Sequence, residues 1–239
     1  MSKPDYGIDA PRVVVMLLLF GAFGLATGIN DIYRPGGIPV ALVSCFISAG
    51  SVCLIEGLLL LLYAKWGKFR HRDRMLKLYK IRGNEQVLDV GTGKGLLMIG
   101  AAKLLINGRA TGIDIWRAKD LSDNKPAKTL ANAAMEGVAD KVNVETADIT
   151  NNQLPDNSFD LVLSNLCLHN IKGKEQRATA CREIHRVLAT GGTAIISDFK
   201  HTRHYARVFD DLHMEVTKKG PHLFDTFPPL TIVIAKKIV

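Results

Sequence analysis

Two long apolar runs open the chain, and a shorter rhythm of strand-length and helix-length segments follows them. Residues 13–29 form a run of 17 without a charge, and residues 38–64 a run of 27 with one, Glu56. A bilayer core takes about 20 apolar residues, with about 17 as a lower bound, so both runs predict membrane-spanning helices. The polar stretch "NDIYRPGG" (30–37) between them predicts the turn of a hairpin. A cleaved signal peptide fits less well, because the residues ahead of the first run are mixed in charge and a second span follows at once.

Past residue 85 the period changes. Strand-length apolar stretches at 86–90, 110–115, 141–146, 158–164, 193–198, 213–218 and 230–236 alternate with helical spacing over 94–106, 124–136, 173–189 and 202–212. Such alternation predicts an α/β fold, a mostly parallel sheet with helices on both faces. Only "KGPHLFDTFPP" separates the last two strands. That is too short for a parallel crossover, so they are expected to pair antiparallel at one edge. The chain divides into a two-helix hairpin (1–64, with spans near 13–32 and 38–64), a basic linker (65–85) carrying a short amphipathic helix over 73–80, and an α/β domain (86–239).

Charge orients this arrangement. Of the net +8, residues 1–64 contribute −1, residues 65–85 +6 and residues 86–239 +3. The excess lies in "KWGKFRHRDRMLKLYKIR", directly after the second span. Cations beside a span mark the cytoplasmic side and favour anionic headgroups. An integral membrane protein with its α/β domain and both termini cytoplasmic is expected, with Tyr63 and Trp66 as interfacial aromatics. Nucleic acid is not an expected partner, since the basic run has no base-reading module and the α/β domain is near neutral. Cys45, Cys53, Cys167 and Cys181 show no C-x-x-C spacing, which predicts neither a disulfide framework nor a metal site.

Candidate chemistry begins at "VLDVGTGKGLL" (87–97), where a buried strand turns into a helix through alternate glycines. It is not a nucleotide-triphosphate loop, because Lys94 lies between glycines with no Ser or Thr after it. Nor is it a dinucleotide fingerprint, because Leu96 stands where the third glycine would fall. An Asp ahead of the glycines suits a ligand with an ammonium group and a nearby carboxylate, and S-adenosylmethionine (SAM) is such a ligand. Three more groups fall at strand carboxyl ends, where open α/β sheets bind ligands. Asp114 is placed for ribose hydroxyls, Asp148 for an adenine amino group, and Asn165 follows the fourth strand.

Taken together, residues 86–239 resemble the class I SAM-dependent methyltransferases, in the type 11 branch that includes the ubiquinone/menaquinone C-methyltransferases. "VLDVGTGKG", "GIDIW", "ADI", "SFDLVLSNLCLHNI" and "REIHRVLATGGTAIISDF" resemble that family's successive motifs. The resemblance implies a Rossmann-like seven-stranded sheet of order 3-2-1-4-5-7-6 with the last strand antiparallel. It also implies SAM as cofactor and a cofactor-binding set of Asp89, Gly91, Thr92, Gly93, Gly95, Asp114, Ile115, Asp148, Ile149 and Asn165. Within that set, Asp89 would face the methionine amino group. Trp116 is expected on the adenosine or in a surface contact.

Methyl transfer from a sulfonium asks mainly for positioning. A general base is needed only for a weakly acidic acceptor, and His169 is the candidate; otherwise it is a structural histidine. Asp198, His201, His204 and Tyr205 could wall the acceptor, or the last three could be surface residues. The acceptor is expected to be a small molecule, lipophilic (quinone, isoprenoid or lipid) or soluble. A nicotinamide-dependent oxidoreductase is the rival class. Glu56 is expected to pair with Arg12 across a turn centred near Tyr33 and Arg34. Gly24 and Gly28 offer a close-packing face within the hairpin or between protomers of a homo-oligomer. Removing residues 1–64 is expected to preserve SAM binding.

Overall fold

The structure is a computed structural model that describes residues 3–33 and 38–238. The two apolar runs form helices α1 (Pro11–Ile32) and α2 (Val40–Leu62). Residues 34–37 of the expected turn lie outside the described residues. The helices approach closely because their facing positions lack side chains. A Cβ on Gly24 would come within 3.1 Å of the Gly50 Cα, and one on Gly21 within 2.8 Å of the Leu54 backbone. The glycine face is thus used inside the hairpin. These contacts, with Gly28 on Ile47 and Gly57 on Leu18, put residue 56 level with residue 19. Arg12 lies seven residues further along, roughly 10 Å at the helical rise. No ion pair joins Glu56 to Arg12, because the two helices pair in a different register from the expected one.

Helix α2 does not end at the linker. A π turn (Tyr63–Gly67) carries it into α3 (Lys68–Leu76), so the expected separate helix at 73–80 is the continuation of the second apolar run. Lys68, His71 and Met75 recur at helical spacing and are buried. That stripe lays α3 on the α/β domain, where Arg72 and Leu76 press on Gly100.

The domain comprises β1 (Gln86–Val90), α4 (Leu96–Ala102), β2 (Arg109–Asp114), α5 (Pro126–Met135), β3 (Val142–Thr146), β4 (Phe159–Asn165), α6 (Lys174–Val187), β5 (Leu188–Asp198), α7 (Thr202–Asp211), β6 (Glu215–His222) and β7 (Leu230–Lys236). The sheet order is β3-β2-β1-β4-β5-β7-β6, as expected. Strands β1 to β5 pair parallel, and β7 runs antiparallel to both β5 and β6. Alternate strand residues face two cores. Leu88, Val162, Ile196 and Val233 face Ile184 and Phe209 of α6 and α7. Val87, Leu161, Ile195 and Ile232 face Met98 and Ala133 of α4 and α5, with Met75 of α3. β5 starts at Leu188 rather than 193, since Phe159 pairs with Leu188 across a register shift in β4.

One feature has no counterpart in the sequence reading. Residues 5–10, ahead of α1, form a strap across the domain. Asn132 holds it by a hydrogen bond from the Asp5 N–H and one donated to the Asp5 carbonyl (3.0 and 2.9 Å). The Tyr6 hydroxyl donates to Glu136 at 2.9 Å, and the Ile8 N–H to Ser122 Oγ at 2.9 Å.

Candidate cofactor site

The carboxyl ends of β1, β2 and β4 open onto a cavity of about 340 Å³, within the range of small-molecule sites. Its wall from β1 is the glycine loop. Gly91, Gly93 and Gly95 have φ of 73°, 54° and 85°, a region that costs other residues about 1 kcal/mol or more. The Gly91 and Thr92 N–H groups donate to the Ile113 carbonyl, at 2.9 and 3.0 Å, which ties the loop to β2.

Asp89 braces this loop from beneath. Its Oδ2 accepts the Thr92 hydroxyl at 2.9 Å and the Met98 N–H at 3.0 Å. It is 2 % exposed, and burial pushes its carboxyl up to about 7. The contribution of that proton to stability is complete below about pH 4, the range of an unburied Asp, and is lost as pH rises through about 7. We expect the ligand-free protein in detergent to lose on the order of 4 kcal/mol over that window from this group. Asp89→Asn should flatten the pH dependence of the thermal midpoint; an unchanged slope would assign that dependence elsewhere.

Asp114 ends β2 and accepts the Gly93 N–H (Oδ2, 2.8 Å) and the Trp116 N–H (Oδ1, 2.6 Å). Asn124 Nδ2 also donates to Asp114 Oδ1, at 3.4 Å; a carboxylate has about four acceptor sites, so capacity for one further donor remains toward the cavity it lines. Ile115, Asp148, Ile149 and Asn165 also line it. Asp148 closes its own turn, accepting the Thr150 N–H and hydroxyl at 2.9 and 2.7 Å. Thr92 lies in a smaller, adjoining cavity of about 70 Å³ with Asp89, Lys94, Tyr63 and Lys68. Gly91, Gly93 and Asn165 border both. Gly95 lines neither; it caps α4.

Other expected residues sit elsewhere. Trp116 has φ 58° and donates from its ring to Thr146 Oγ1 at 2.8 Å, so it packs along β3 and is absent from the cavity walls. His169 lines neither cavity. Its N–H donates to Asp198 Oδ2 at 3.0 Å, its Nδ1 lies 2.9 Å from Asp198 Oδ1, and its ring meets Phe199 edge-on. Asp198 is fully buried and also takes the Phe199 N–H. Tyr205 is buried in the core, and neither it nor His201, His204 or Asp198 borders a cavity. Tyr63, read as an interfacial aromatic, is buried at the smaller cavity, 3.4 Å from Asn165 Nδ2.

Sequence reasoning missed Asp9, Lys68 and Asn124 altogether. Among the described residues, Asp9 Oδ2, Asn124 Oδ1 and Asn165 Oδ1 are buried oxygens without a hydrogen-bond donor, and all three residues line the larger cavity. Buried acceptors are normally paired, so these walls fit a ligand rich in donors. SAM carries an ammonium group, two ribose hydroxyls and an adenine amino group. The open backbone of Gly91 and Gly93 leaves room for it.

Comparison with known proteins agrees with this fold. Residues 88–196 match the family described as "Methyltransferase domain". A probable methyltransferase of Aspergillus luteorubrus is 30% identical over 62% of this chain and 54% of its own length. A demethylmenaquinone methyltransferase of Tropheryma whipplei is 30% identical over 60% of this chain and 54% of its own. The chain thus spans about half the length of these curated relatives. Among solved structures, a SAM-dependent methyltransferase from Aquifex aeolicus superimposes with TM-score 0.56 at 18% identity, covering 70% of this chain and 89% of that one. The geranyl diphosphate C-methyltransferase of Streptomyces coelicolor, solved with S-adenosyl-L-homocysteine, gives TM-score 0.58 at 13% identity over 71% and 77%. Residues 88–196 thus match a methyltransferase domain, and the chain shares its fold with SAM-dependent methyltransferases.

Proposed function

We propose that this protein is a membrane-anchored SAM-dependent methyltransferase acting on a small lipophilic acceptor at the cytoplasmic face of the bilayer. The observation that carries the reading is Tyr63. It stands where the second apolar helix passes into the domain, and it lines the cavity beside the glycine loop. The membrane helix and the cofactor site are thus continuous.

Further features support the anchor. The outer surfaces of α1 and α2 expose Leu19, Phe20, Phe23 and Ile55, apolar side chains suited to contact with lipid. Trp66 and, on the β6–β7 loop, Leu223 and Phe224 are exposed as well. Asp225 of that loop touches Gly67 and pairs with Arg74, which sets the loop beside the end of the span. The basic residues that follow give the expected headgroup attraction. Two relatives are named for the lipophilic acceptors demethylmenaquinone and geranyl diphosphate.

When bound, SAM supplies an electrophilic methyl group on a sulfonium. The chain's part is to hold the reactants in line and exclude water, worth up to ~7–11 kcal/mol when well oriented. Its strand-end groups and glycine loop do the first. His169 is tied to Asp198 outside the cavity walls, and we assign it to shaping the loop after β4.

The test is methyl transfer from isotope-labelled SAM into an extract split into lipid and aqueous fractions. Label in the lipid fraction is the expected result; label confined to the aqueous fraction would reduce the hairpin to a tether. Cutting the chain at residue 65 is a poor control, because it removes the strap along with the helices. Contrary to the expectation from sequence, the 65–239 fragment should lose SAM binding in a titration.

A further inference from the structure

The smaller cavity is walled by charge of both signs. Lys68 and Lys94 are 4 % and 2 % exposed. Lys94 pairs with Asp5 of the strap at 2.7 Å. Lys68 donates to the Tyr6 and Gly7 carbonyls at 2.8 and 2.6 Å. Asp9 is held differently. The strap meets the loop after β2 at Leu121, and the Ala10 N–H donates to the Asp120 carbonyl at 2.9 Å. This fixes Asp9 in the wall shared by both cavities. About a third of its side chain (34 %) remains accessible, where it lines the cavity, but Oδ2 is out of reach of solvent and has no donor. Its nearest cation, Lys68 Nζ, stays 3.8 Å away, beyond hydrogen-bond reach.

Asn165 presents the same deficit from the opposite side of the chain. Its Nδ2 is directed to the Tyr63 hydroxyl, and its Oδ1 is buried without a donor. Two unpaired acceptors, one ionisable, thus border the junction of the two cavities next to Gly91. Each unmet buried acceptor costs about 1–3 kcal/mol, and a cationic donor would relieve both. Asp89, at the base of the site, already takes Thr92 and Met98 on its Oδ2.

We propose that Asp9, with Asn165, receives the α-ammonium group of the methionine part of SAM, so that a segment lying ahead of the first apolar helix completes the cofactor site. The inference rests on the methyltransferase reading above. An N–H of the ammonium donates to Asp9 Oδ2 and another to Asn165 Oδ1; Lys68 and Lys94 supply the opposite charge for a carboxylate nearby. Burial raises the Asp9 carboxyl above its ordinary range, and an ammonium beside it offsets that desolvation.

The experiment is calorimetric titration of the full chain in detergent with three probes: SAM, S-adenosylhomocysteine and 5′-methylthioadenosine. The last keeps adenine, ribose and sulfur but has no amino acid part. Asp9→Asn should weaken SAM and S-adenosylhomocysteine at least 10-fold and leave methylthioadenosine within 2-fold. Asp9→Ala should weaken the first two further with the same spared third. Equal losses for all three probes would mean that Asp9 only shapes the strap, and unchanged binding of all three would remove it from the site; either overturns the proposal. Wild-type protein that binds none of the three would instead overturn the SAM reading itself.

Discussion

Gly91→Ala should abolish measurable SAM binding at micromolar protein while leaving the sheet folded. Residue 91 follows β1 with φ 73°, which costs an alanine about 1 kcal/mol. Its new methyl would also stand 2.6 Å from the Cys167 Cβ and overlap Sγ outright. Overpacking of this kind costs about 1–3 kcal/mol. Sγ can rotate away, but the Cys167 Cβ is fixed by its own backbone, so the loop itself must shift. If the whole of that 2–4 kcal/mol falls on binding, affinity drops roughly 30- to 700-fold. Cys167→Ala on the same background should recover part of the loss, because it removes Sγ but not Cβ, and the left-handed backbone remains. A double-mutant cycle reads that coupling. Full affinity in the single variant would show that the ligand does not approach the loop at Gly91.

Most of the domain was legible because its determinants are local. Strands β1 and β4 are apolar runs bounded by polar turns, and their residues became the centre of the sheet. Asp114 and Asp148 line the cavity, in keeping with a rule about strand ends that converts sequence position into a place in space. Where several residues must be placed jointly, sequence reasoning failed. The hairpin register depended on which positions of the two helices face each other, and a shift of seven residues in that pairing moved Glu56 from level with Arg12 to level with Leu19. Tyr63 and Trp66 read alike as interfacial aromatics, yet the π turn gives the helix an extra residue there. It buries Tyr63 at the cavity and leaves Trp66 64 % exposed. Trp116 turned away from the site through a positive φ that no neighbouring glycine announced. The strap was invisible for a different reason. Its partners are 61 to 130 positions distant, and a polar stretch ahead of a span carries no periodicity to mark it as a wall.

Lys68→Met should release that strap. The amine is the strap's central pin, donating to the Tyr6 and Gly7 carbonyls and facing Asp9. Burial lowers its pKa, and the Asp9 charge pulls it back up, so the pair holds together only while both are present. Methionine fills the volume of the stem but leaves the Tyr6 and Gly7 carbonyls without their donor. Each unmet carbonyl costs about 1–3 kcal/mol. The remaining anchors are Lys94 on Asp5, Tyr6 on Glu136, Asp5 on Asn132, Ile8 on Ser122 and the Ala10 N–H on the Asp120 carbonyl. They hold other groups of the strap and leave the Tyr6 and Gly7 carbonyls unmet. Amide exchange at residues 6–10 should therefore accelerate at least 100-fold in the full-length protein, and SAM affinity should fall with it. Faster exchange with unchanged affinity would separate the strap from the cofactor site. Unchanged exchange would deny Lys68 its pinning role. Helix α1 starts at Pro11, two residues past Asp9, so the wall of the site runs directly into the first apolar helix. Bound SAM should for that reason slow exchange at the start of α1 in the wild type and fail to do so in Lys68→Met.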